Sequence, residues 1–212
     1  MRNDGLPPNI VEVARAILDA GARFDRGCVE STLGLVSSGR VPRECGLQIA
    51  LINLLCDYGA NPDAAMDAAL GHGEIEAVNA LIARGARVDL RVAAATGRLE
   101  DARATVGNAS AEDRHFAFAW AAQFGHVAIV KLLLELGEDP NRFNPRGAHS
   151  HSTPLHQAAL AGHGDIVQLL TEHGARLDIK DVLWHGTPAD WADHGGHPEI
   201  AAHLRAAGNR RP

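Results

Sequence analysis

The stretch TPLHQAALAGHGDIVQLLTEHGA, beginning at Thr153, can be laid without a gap over TPADWADHGGHPEIAAHLRAAGN, beginning at Thr187. Thr153 falls on Thr187, Pro154 on Pro188, Gly162 on Gly196, His163 on His197, Ile166 on Ile200 and Leu170 on Leu204, always at an offset of 34. Self-similarity at such a period restricts a chain to an array of like supersecondary units, none of which can bury its own apolar face alone. Upstream, AWAAQFGHVAIVKLLLELGED carries Ala121, Ala122, Gly125, His126, Ile129 and Gly137 in the same register. The second half of the unit recurs from Gly73, from Gly97, in the run ending LINLLCDYGANPD, and in NIVEVARAILDAGARFD from Asn9.

Within a unit, apolar residues recur three or four apart in two short runs separated by a glycine, which predicts two amphipathic helices joined by a tight turn. Thr-Pro supplies a capping hydroxyl followed by the residue best tolerated at the first helical position. The glycine after the second run suits the left-handed conformation that ends a helix.

These residues, TPLHQAALAGH with IVQLL and HGA, resemble the ankyrin repeat, of a bacterial type with degenerate N-terminal units. The resemblance is strong over 116–178, good over 179–208 and partial from 9 to 110. It implies an all-α, ankyrin-type solenoid of stacked helix pairs with short β-hairpin or loop fingers. One repeat domain would span 1–212, with units near 9–26 (partial), 27–63, 64–89, 90–110, 111–141, 142–178 and 179–212. It also implies that the concave face and fingers grip another protein and that His156 bonds backbone groups of an adjoining repeat. His126, His163 and His197 would be structural, like Thr153, Pro154, Gly162, Thr187, Pro188 and Gly196.

Departures from the repeat pattern carry information as well. After GANPD (59–63) and GARVD (85–89) the next helix begins almost at once, whereas extra residues near Val41–Leu47 separate the helices of an early unit. Short central fingers flanked by longer segments predict a notch, which suits a small ligand or narrow peptide. Asn9–Leu18 reads as a second helix lacking its first. Met1–Pro8, a second copy of the chain, or the remainder of a longer protein would have to cover its apolar face, and Arg205–Pro212 would cap the far end.

Composition narrows the partners. Twenty Lys and Arg against twenty-six Asp and Glu give a formal charge of −6, and the only basic clusters are as short as Arg210–Arg211, which favours neither nucleic acid nor an anionic membrane. Three cysteines without close spacing fit a reduced, cytoplasmic protein. No signal-peptide-like or membrane-spanning run is evident.

Histidines and carboxylates crowd HGTPADWADHGGHPE, residues 185–199. Asp190 stands three residues after Thr187 and fits a capping box, and Gly195-Gly196 breaks the helix before His197, so helix capping accounts for the pattern without a metal. His149 and His151 fall on an enlarged finger with Phe143, Asn144 and Arg146, where binding residues concentrate. In the family, the two residues before the inter-helix glycine usually face the concave side; in this chain they are Ser37-Ser38, Gly71-His72, Ala95-Thr96, Gln123-Phe124, Leu160-Ala161 and His194-Gly195. Trp120 and Trp191 occupy matching positions expected to pack between repeats, while Trp184 on the last finger is the better exposed anchor.

Two functions follow. The first is a module binding a protein partner through Gln123, Phe124, Phe143, Arg146, His149, His151, Leu160, Trp184, His194 and His72. The alternative is an enzyme of cyclase, lyase or isomerase type that holds a small apolar ligand in the notch, with His72, Asp67 and His194 as acid–base groups. Neither calls for a cofactor or metal. A homodimer through the uncapped N-terminal helix is a further expectation.

Overall fold

The computed structural model describes residue 7, residues 9–20 and residues 26–208. The cover over Asn9–Leu18 and the polar cap expected at the far end lie partly outside the described residues, and Arg210–Arg211 wholly so. The chain forms two compact units that divide between Val88 and Asp89. Among the described residues all regular structure is helical.

In the first unit, α1 (Ile10–Asp19) packs on α4 (Gln48–Asp57), α2 (Arg26–Ser38) packs on α4 and on α5 (Asp63–Gly71), and α6 (Ile75–Ala83) completes the next pair. The insertion forms a short helix, α3 (Arg40–Glu44). It is held by Arg43, which pairs with the buried Glu74, and around it the Gln48 amide of α4 donates to the α2 carbonyls of Val36 and Ser37, each at 3.2 Å.

The second unit is the regular one. Its helices are α7 (Leu90–Thr96), α8 (Leu99–Thr105), α9 (Ala111–Gln123), α10 (Val127–Glu135), α11 (Pro154–Leu160), α12 (Gly164–Glu172), α13 (Pro188–His194) and α14 (Pro198–Gly208). First helices stack in the order α7, α9, α11, α13, and second helices in the order α8, α10, α12. The seam between them is filled by Phe118, Leu133, Leu155, Ile166, Leu170 and Leu204, all fully buried. Helix starts follow local chemistry: Ser110 accepts the Asp113 amide at 3.0 Å, and Thr187 and Asp190 form a reciprocal capping box in which the Thr187 amide donates to Asp190 at 2.9 Å.

A repeated contact sets the spacing of this stack. Gly97, Gly125 and Gly162 all have φ between 72° and 85°, where an L side chain is strained. A Cβ on Gly97 would lie 2.7 Å from the His126 ring and one on Gly125 2.8 Å from that of His163, while Gly162 lies against His197 in the same way. The His126 ring also bonds the Ala95 carbonyl at 3.1 Å, and that of His163 the Gln123 carbonyl at 3.0 Å.

His156 works across repeats by a different route. Its Nδ1 accepts the Thr153 amide at 3.2 Å and lies 2.8 Å from the Thr153 hydroxyl, so Nε2 carries the proton and donates to the Gly186 carbonyl at 3.2 Å. A second proton on Nδ1 would break the bond from the Thr153 amide.

Burial pushes the His126 and His156 imidazoles below their ordinary value, against the pull of their backbone acceptors. As pH falls below about 6.5 the unfolded chain therefore takes up protons first, so stability is full above that pH and declines beneath it. Urea denaturation should give a lower midpoint at pH 5.5 than at pH 7.5, with a smaller difference in His156→Gln; equal midpoints in the wild-type protein would contradict this.

Candidate functional site

Aligned on the inter-helix glycines Gly125, Gly162 and Gly196, the residues Gln123, Leu160 and His194 occupy one register position, and all three line one groove of about 710 Å³ in the second unit. A second register position supplies Gln157 and Trp191 to the same lining. The remaining wall comes from two fingers, through His149 and His151 of the segment between α10 and α11, and Trp184 and Gly186 of the segment between α12 and α13. Asp190 completes the lining.

The last finger is built around one carboxylate. Asp181 is 1 % exposed. Its Oδ1 accepts the amides of Leu183 at 2.8 Å and Trp184 at 2.7 Å, and its Oδ2 accepts the Gly186 amide at 2.8 Å and the Trp191 indole N–H at 3.0 Å. Burial alone would raise this carboxyl, but the four donors outweigh it and hold it at about 2. Backbone bonds from Asp181 to the Gly186 carbonyl and from Val182 to the His151 carbonyl, both 2.9 Å, close the finger and join it to its neighbour. Three consecutive apolar side chains are thereby held in solvent, Val182 at 61 %, Leu183 at 59 % and Trp184 at 69 % exposure.

Aromatic rings line the corner between the fingers. His151 meets Trp184 edge-on at 5.3 Å between centroids, Trp184 meets Trp191 at 5.8 Å and 61°, and His149 meets His151 at 5.9 Å. Behind them His156 packs edge-on to Trp191 at 5.3 Å. His149 and His185 both adopt positive φ, 60° and 56°, at the tips flanking the groove. Such backbone strain clusters where surrounding structure imposes a particular presentation.

Of the residues singled out by sequence, Gln123, His149, His151, Leu160, Trp184 and His194 converge on this groove. Phe124 does not. It is the half-buried C-cap of α9, and of this pair only Gln123 reaches the lining. Phe143 and Arg146 are exposed on the longer finger but outside the lining. Asn144, expected at that tip, is instead buried, its amide N–H donating to the Ser152 carbonyl at 2.9 Å. His72 and Asp67 are exposed residues of the first unit, with His72 Nδ1 bonded to the Ala68 carbonyl at 2.9 Å.

Trp120 and Trp191 are both buried, yet Trp191 also forms groove wall. Sequence reasoning does not single out Asp181. The signal that could have found it is an Asp opening a turn, since Asp side chains accept amides two and three residues on. The Asp190 oxygens are occupied by Thr187 and Arg205, and among the described residues no three His, Cys, Asp or Glu side chains converge as metal ligands.

A family model of ankyrin repeats matches residues 90–181 and 120–208. The chain belongs to the ankyrin-repeat family. Its fold is the all-α ankyrin-type solenoid of stacked helix pairs, with fingers that among the described residues are turns and loops. The chain is 34 % identical over 122 residues to cyclin-dependent kinase inhibitor 2A of Homo sapiens, covering 56 % of this chain and 76 % of that protein. It is 33 % identical over 126 residues to cyclin-dependent kinase 4 inhibitor B of Bos taurus, covering 58 % and 93 %. With the inhibitor B of Mus musculus it shares 31 % over 149 residues, or 70 % and 96 % of the two chains. In ankyrin terms the groove is formed by three successive first helices and the last two fingers.

Replacing Asp181 with Asn puts an NH2 opposite two donors. It should destabilise the second unit by about 2 kcal/mol or more and speed hydrogen exchange at the Leu183, Trp184 and Gly186 amides. Because the carboxyl is held at about 2, this stabilisation is complete above about pH 4 and is lost as pH falls toward 2, so the variant should lose less stability than the wild-type protein over that interval. Wild-type exchange rates at those three amides in the variant would refute the organising role.

Proposed function

We propose that this chain is a protein-binding module, and that the groove together with the Val182–Leu183–Trp184 finger is where the partner docks. The observation that carries the reading is an exposed tryptophan on a finger fixed by a buried carboxylate, beside a largely apolar groove. Binding energy concentrates in rigid aromatic anchors of this kind, because little side-chain freedom remains to be lost on binding. Membership of the ankyrin-repeat family and relatives named as inhibitors of cyclin-dependent kinases support a protein as the partner. What we carry over from those relatives is engagement of a protein by the repeat stack, and not kinase inhibition. They are animal proteins, which lends the bacterial-type reading no support.

The enzyme alternative requires a carboxylate able to work beside an imidazole. Asp190, the carboxylate of the groove lining, is committed to Thr187 and Arg205, and Asp181, buried behind Trp191, to four N–H donors. That commitment favours recognition over acid–base chemistry. A cytoplasmic location belongs to the same proposal; its support is that Cys28, Cys45 and Cys56 are unpaired, and no helix among the described residues is long and apolar enough to cross a membrane. The homodimer expected through α1 would use the face carrying Val13, 38 % exposed, and Ile17, 54 % exposed.

Affinity capture from a lysate, followed by calorimetry with the recovered partner, tests the division of labour. Trp184→Ala, at an exposed position, should leave the melting temperature nearly unchanged and Leu160→Ala, at a half-buried one, should lower it modestly, and each should weaken binding by about 2 kcal/mol, roughly 30-fold, at a true hot spot. Thr153→Ala should cost about 1 kcal/mol of stability and leave affinity alone. Equal losses of binding across both classes, in folded variants, would contradict the proposal.

A further inference from the structure

We propose that the groove of the second unit receives the guanidinium group of an arginine side chain of the partner protein, against the exposed indole of Trp184 and beside Gln157. This inference rests on the protein-binding reading and names the chemistry that the groove selects.

A cation is attracted to the face of an indole, and Trp184 is the exposed member of a three-ring cluster in which it meets Trp191 at 5.8 Å and 61° while His151 lies 5.3 Å from Trp184 and 5.7 Å from Trp191. Trp191, mostly buried behind Trp184, adds electron density to the cluster, because its N–H is donated to the Asp181 carboxylate at 3.0 Å and a hydrogen bond to an anion polarises the ring. Charge points the same way. Asp190 is the only acidic or basic side chain of the lining apart from the histidines, and no Lys or Arg is in it. Arg205 bridges Asp190 at 3.2 Å and Asp193 at 2.7 Å, and the Asp181 carboxylate stands behind Trp191, accepting its indole N–H at 3.0 Å. Arg142 and Arg146, on the neighbouring finger, lie outside the lining. Burial and the neighbouring His151 hold His149 below the ordinary imidazole value, which leaves it uncharged at pH 7.5.

Two features favour guanidinium over ammonium. The groove is open on one side, where a strongly hydrated ammonium would keep its water, whereas a planar and weakly hydrated guanidinium stacks on rings. Gln157 also donates its amide to the Ser152 hydroxyl at 2.9 Å, which leaves its carbonyl as the group able to accept an arginine N–H.

The test uses the 15N-labelled full chain at pH 7.5. Its three tryptophans give three indole N–H signals, assigned with single Trp→Phe variants. The chain is titrated with N-acetyl-arginine methylamide, its neutral isostere N-acetyl-citrulline methylamide, and N-acetyl-leucine methylamide. The expected result is that the arginine probe shifts the Trp184 and Trp191 signals and leaves the buried Trp120 signal in place. Its half-saturation should lie at least tenfold below that of citrulline and should rise with added salt. Trp184→Ala, at an exposed position, should abolish the response while Trp184→Phe retains part of it. Citrulline or leucine binding as tightly as arginine would overturn the cation preference while leaving a side-chain-binding groove, and so the protein-binding reading, intact. No shift of either groove signal with any probe would overturn the inference outright; the capture experiment with Trp184→Ala would then decide the broader reading by itself.

Discussion

The stack depends on an imidazole laid over a left-handed glycine. At Gly97, Gly125 and Gly162 the chain turns between the helices of one repeat, and the ring of the next repeat's histidine fills the space that a Cβ would need. The glycine is required twice over, once for its φ and once for the approach of the ring. Because the His126 and His163 rings also bond the Ala95 and Gln123 carbonyls near the ends of the preceding first helices, successive first helices are held at a fixed distance and rotation. Only then do Gln123, Leu160 and His194, one from each of three repeats, come to a common surface. The groove floor is a consequence of this spacing.

The fingers solve a different problem. A loop without a strand ladder must satisfy its backbone amides elsewhere, and in the last finger Asp181 takes three of them onto one side chain. That arrangement lets the loop stay short and stiff while holding Val182, Leu183 and Trp184 out of any core. Exposed apolar groups on a stiff frame lose little conformational freedom when covered, which is what distinguishes an anchor from a sticky loop.

Much of the fold can be read from the sequence because its cause is periodic. The offset linking Thr153 to Thr187 predicts helix pairs, their caps and their turns, and the same register identifies three residues of the groove floor. What the register cannot resolve is rotation within a pair of neighbours, and Phe124 shows this: family register pairs it with Gln123 as concave, but it ends α9 as the C-cap and only Gln123 reaches the groove. The fingers are harder still, because they are not periodic. Asn144 and Trp184 both lie in loops, yet one is buried and the other exposed; Asn144 is drawn in by its backbone bond to Ser152 eight residues on, while Trp184 is held out by the Asx-type turn that Asp181 opens. Trp191 is legible as core but not as wall, since a ring with two faces can serve both.

Loop length explains why the groove lies where it does. Five residues separate α4 from α5, and only two separate the 3-10 turn Val106–Asn108 from α9, too few for a loop to rise beside the first helices. The segments between α10 and α11 and between α12 and α13 are several times longer than that two-residue link and supply the walls. In the second of them one carboxylate orders the finger, orients the Trp191 indole and places a fixed negative charge behind it. Stability of the finger and the electrostatic character of the groove are therefore coupled through Asp181. A change there must alter both together, whereas Trp184 gives that carboxylate only its backbone amide, so that its exposed side chain can be replaced while the finger keeps its bonds.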